Sequence, residues 1–119
     1  MVERFLAAFN HHRLDRMARL TTLDQTIQLP DGTIARGRLR VARLIAWVIW
    51  RSRGTLQMTP LSVSAQGECE VVARTHNTAK RGKLTLDLEM TLVFSLRDRR
   101  VSAVNETVED LSAWRRFWR

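Results

Sequence analysis

Proton transfer near neutral pH needs a carboxyl, imidazole or thiol held where its pKa is displaced, and this chain has few residues that could be so held. Its histidines are His11, His12 and His76, and its one cysteine is Cys69. His11 and His12 are adjacent, so they cannot face one site as a helical pair four residues apart would, and they read as loop surface. His76 has the opposite strand parity to Cys69, Val71, Ala73 and Thr75. It is therefore expected outside, and Cys69 is expected as a small core residue. Asp31 could serve as a base, but its place in Pro30-Asp31-Gly32 favours a turn. No three ligands have metal-site spacing, so neither a metal nor another cofactor is expected. A glycine-rich phosphate loop, a serine elbow and a carboxylate pair are all missing.

The apolar residues say more. Lys83–Leu96 alternates strictly, with Leu84, Leu86, Leu88, Met90, Leu92, Phe94 and Leu96 on one face and Thr85, Asp87, Glu89, Thr91, Val93 and Ser95 on the other. A strand that long must bend around a cover for its leucine face. Further strands are expected at Thr26–Leu29, Leu56–Ser64, Glu68–Asn77 and Arg100–Val108, with Pro60 marking an edge or bulge. Val2, Phe5, Leu6 and Phe9 have helical spacing over Val2–Asn10. A short second helix is expected from an Asp15 cap through Met17, Leu20 and Leu23, and a third over Leu39–Arg51. Trp47, Trp50 and Met58 either fill the core or line a ligand cavity. The tail Glu109–Arg119, with Trp114, Phe117 and Trp118, either folds over a cavity mouth or joins a subunit interface.

The totals set the class. One domain of 119 residues can bury a single core. No apolar run is long enough to span a bilayer and no signal peptide is visible, so the expected location is cytoplasmic, with no membrane partner. The net charge of +8 is spread over separate arginine groups without a nucleic-acid-binding motif, so a solvated basic surface is expected rather than nucleic-acid binding. Helices followed by four meander strands make an α+β fold, with a curved antiparallel sheet wrapped around the N-terminal helices.

Several short stretches carry a family resemblance: Arg4-Phe5-Leu6-Ala7-Ala8-Phe9-Asn10, Leu14-Asp15, Asp24, Leu29-Pro30-Asp31-Gly32 and Gly37. They resemble the front half of the nuclear-transport-factor-2-like cone superfamily, which includes ketosteroid isomerase, SnoaL-like polyketide cyclases and limonene epoxide hydrolase. The meander fits its back half, so one SnoaL-like domain over residues 1–119 is expected. In ketosteroid isomerase a tyrosine and a protonated aspartic acid form an oxyanion hole and a second aspartate is the base. The resemblance places Phe5, Met90 and Leu29 at those positions, which excludes that mechanism here. The carboxylate-arginine-carboxylate set of the epoxide hydrolases is not evident either.

Extended to the last strand, the same resemblance turns Val104, Glu106 and Val108 inward near Met90. Glu106 then points into an apolar interior as the one candidate acid or base, because burial disfavours its charged form. A one-residue slip would put Asn105 inside and leave Glu106 in solvent or paired with an arginine. The resemblance thus implies a cofactor-independent cyclase, isomerase or other rearrangement enzyme for a hydrophobic polyketide- or steroid-like substrate. Phe5, Leu29, Trp47, Trp50, Met58, Met90, Phe94, Val104 and Val108 would line its pocket. It also implies a homodimer paired through the outer sheet face, which carries Arg74, Thr85, Asp87, Glu89 and Thr91. The alternative is a non-catalytic module of the same fold that binds a ligand or a protein.

Overall fold

A computed structural model describes residues 1–119. Three helices come from the first half of the chain: α1 (Val2–Asn10), α2 (Leu14–Arg19) and α3 (Arg38–Arg51). Between them run β1 (Thr21–Gln28) and β2 (Ile34–Arg36). The second half gives β3 (Gln57–Ala65), β4 (Glu70–Arg81), β5 (Leu84–Arg97) and β6 (Arg100–Val108), and α4 (Leu111–Trp118) closes the chain. The six strands form one open, curved sheet in the order β2-β1-β6-β5-β4-β3. The four meander strands pair antiparallel as expected, while β1 joins β6 in parallel and makes the sheet mixed. No helix is long and apolar enough to cross a membrane.

The inner face is built from the alternation of β5. Leu86, Leu88, Met90, Leu92 and Phe94 are all buried there. Phe94 meets Phe5 of α1 edge to face, with ring centroids 5.5 Å apart, so the first helix is keyed to the middle of the longest strand. Pro60 falls where an edge strand tolerates it, since β3 ends the sheet and its register shifts between Pro60 and Ser62.

Local structure departs from the sequence expectation in several places. The second helix stops at Arg19, Asp15 sits in its first turn paired with Arg13 rather than capping it, and Leu23 lies exposed on β1. That strand begins at Thr21, five residues before Thr26. Its first buried positions are the polar Thr21, Thr22 and Gln25, and Gln25 Nε2 donates to Thr21 Oγ1 at 2.8 Å, so no apolar alternation announces the strand. Cys69 is exposed, because β4 starts only at Glu70 and strand parity does not reach back into the preceding turn. At its other end β4 runs on to Arg81, and the turn comes at Gly82, where φ is +62°. Asp31 has the expected turn role, its Oδ1 accepting from Thr33 N at 2.9 Å.

Candidate functional site

Sheet curvature leaves a hollow of about 70 Å³ between the inner face and the helices. That is room for a handful of waters. Of the 21 residues around it, only Asn77 and Glu106 are polar. The β5–β6 register sets Leu92 against Glu106 and Phe94 against Val104, which turns Glu106 inward with its apolar partners. Asn105 lies on the outer face and is exposed. Of the two registers open from the sequence, the one that puts Glu106 inside is the one adopted.

Glu106 is half-buried and lines the hollow. Desolvation by the surrounding protein pushes its pKa from 4.5 up to about 8, and no neighbouring charge or hydrogen bond opposes it. None of the ion pairs of the molecule includes it. At pH 7 the group is mostly protonated, so it is a hydrogen-bond donor and general acid first, and a base only at higher pH.

Phe5, Leu29, Trp47, Met58, Met90, Phe94 and Val104 border the hollow together with Glu106. Two other residues do not. Trp50 is 70% exposed, because it lies nine residues after the buried Val41 and so points to the opposite side of α3. Val108 is the last residue of β6 and packs half-buried on the core beyond the edge of the hollow. Trp47 reaches the rim and stacks near Trp118, with centroids 5.8 Å apart.

The tail is a helix that closes the mouth. Asp110 caps it by accepting from Ala113 N at 3.0 Å, and Trp114 and Trp118 come over the hollow. Arg81 fastens its far end, donating from Nε and a terminal nitrogen to Phe117 O at 3.1 and 2.6 Å. Of the residues that border the hollow, Asn77 is the polar one that sequence reasoning missed. As an asparagine before a glycine-containing stretch it reads as the start of a turn, but the inward parity of Ala73 and Thr75 extends to it.

Elsewhere the titratable groups are scattered. His11 and His12 are exposed, His76 faces outward and pairs with Asp87, and no three His, Cys, Asp or Glu side chains converge.

Comparison with known proteins gives the family. No curated protein matches the chain. Among solved structures, Bal32a from a soil-derived mobile gene cassette is 28% identical, with a TM-score of 0.94 over 99% of this chain and 93% of that one. TerC, co-crystallized with polyporic acid, is 16% identical, with a TM-score of 0.85 over 98% and 93% of the two chains. An LEH-like epoxide hydrolase from M. tuberculosis is 20% identical, with a TM-score of 0.78 over 98% and 85%. The last two likenesses concern the fold alone. The model of the SnoaL-like domain matches residues 2–104, nearly the whole cone, and the chain belongs to that family.

Proposed function

We propose that this SnoaL-like chain is a small-molecule enzyme that cyclises, isomerises or otherwise rearranges a hydrophobic polyketide- or steroid-like substrate without a cofactor, with Glu106 as its acid. The observation that carries this is a single carboxyl, free of any cation or hydrogen-bond partner, in a hollow whose only other polar lining residue is Asn77. A carboxylic acid kept neutral by an apolar site donates a hydrogen bond to a substrate oxygen where negative charge develops, the role of the protonated aspartic acid in ketosteroid isomerase. The apolar wall would hold the carbon skeleton in a reactive shape, and positioning of that kind lowers a barrier by several kcal/mol. A substrate of several rings exceeds the present free space, so the apolar walls must give way around it as it enters past α4. The TerC crystal with polyporic acid suits this reading, since that protein shares the fold.

Turnover should follow one apparent pKa near 8, falling as Glu106 loses its proton. Glu106→Gln should lower it by about 10²–10⁴-fold and leave binding intact. Unchanged turnover in that variant would turn the reading to the non-catalytic ligand-binding module. Homodimerisation through the outer face of β4 and β5, around Arg74, Thr85 and Thr91, is part of the proposal. Its check is sedimentation, and a monomer at all accessible concentrations would remove it.

A further inference from the structure

Two donors at the hollow are not used by the acid. Asn77 is 1% exposed; its Oδ1 accepts from Thr75 Oγ1 at 2.6 Å, and its Nδ2 meets only the sulfur of Met90, also at 2.6 Å. A thioether is a weak acceptor and the amide carries two hydrogens, so donor capacity is left over. Trp118 is 9% exposed, and its buried Nε1 has no partner. Buried donors without partners are costly, and asparagine is disfavoured inside strands, so packing alone gives no reason for Asn77.

The two donors belong to one end of the hollow. Arg81, four residues beyond Asn77 on β4, holds Phe117 O and so brings the end of α4 over that stretch. Glu106 belongs to the other end. Asn77 pairs with Leu88 and Glu106 with Leu92, a separation of two strands and four residues. Along the sheet that is roughly 16 Å between backbones.

We propose that the hollow takes an elongated, mostly apolar molecule with a carbonyl-type acceptor oxygen at each end, one received by Asn77 and Trp118 and the other at the Glu106 end. This rests on the proposed function, whose acid is the second anchor. A donor group fits the Asn77 end less well, because Oδ1 is already engaged by Thr75.

The test is calorimetric titration of the full chain with biphenyl, its monoacetyl derivative and the derivative acetylated at both para ends. Each acetyl group should tighten binding about tenfold. Asn77→Leu and Trp118→Phe should each weaken the diacetyl compound about tenfold relative to biphenyl. In the unaltered protein, the side-chain amide signal of Asn77 should shift with the diacetyl compound but not with biphenyl, which serves even if Asn77→Leu does not fold. A stationary Asn77 signal overturns the inference and leaves the role of Glu106 standing, whereas equal affinity for the mono- and diacetyl compounds with a shifted Asn77 signal puts the failure at the Glu106 end and overturns both. Binding of none of the three overturns the hollow as a ligand site, and with it both proposals.

Discussion

The two faces of the β4–β5–β6 sheet treat charge in opposite ways. On the outer face Arg74 pairs with Glu89 and His76 with Asp87, all of them open to solvent. Elsewhere on the exterior, hydrogen bonds from Arg97 hold Asp24 below the usual carboxylate range, and Arg13 lowers Asp15 to about 2. On the inner face Glu106 has no such partner, and burial drives it to about 8. The residue types are alike. Which side of the pleat a carboxylate occupies decides whether it is a solvated charge or a held proton.

The severest disruption of the inner face is Phe94→Ala. Phe94 is fully buried against Phe5, and the loss should be about 3–5 kcal/mol in equilibrium unfolding, with the hollow collapsing or flooding. A loss under 1 kcal/mol would mean that the interior repacks freely. Next is the pH dependence set by Glu106. Below pH 4.5 the folded and unfolded chains are both protonated, so the group contributes no difference. From there to about 8 only the unfolded chain ionises, so stability falls as pH rises, and it levels off above. At pH 7 the deficit is about 3 kcal/mol, and Glu106→Gln should remove that slope from denaturation curves taken across the range. Adding Asn105→Glu to that variant moves the carboxyl to the outer face, where neither slope nor turnover should return. The smallest effect belongs to the outer pair. Glu89→Gln should cost no more than about 1 kcal/mol, and less at high salt, because both partners are largely exposed.

Much of the architecture was legible from spacing. Period-two alternation in Lys83–Leu96 and helical spacing in Val2–Asn10 and Leu39–Arg51 mark elements that bury one apolar face, and burial of that kind is written residue by residue. Residues 21–25 at the start of β1 were opaque because polar side chains satisfy one another there, and Ile34–Arg36 because three residues carry no period. The site was half legible. Glu106 stood out from its apolar neighbours, whereas Asn77 looked like a turn residue until β4 was seen to run on to Arg81.

By itself the chain determined which residues seek an interior and that very few polar groups could go with them. Only the tertiary structure decided the register that turns Glu106 rather than Asn105 inward, the phase of α3 that leaves Trp50 in solvent, and the closing of the mouth by α4. Pairing between distant strands and docking of a terminal helix depend on contacts far apart along the chain, and no local pattern specifies them.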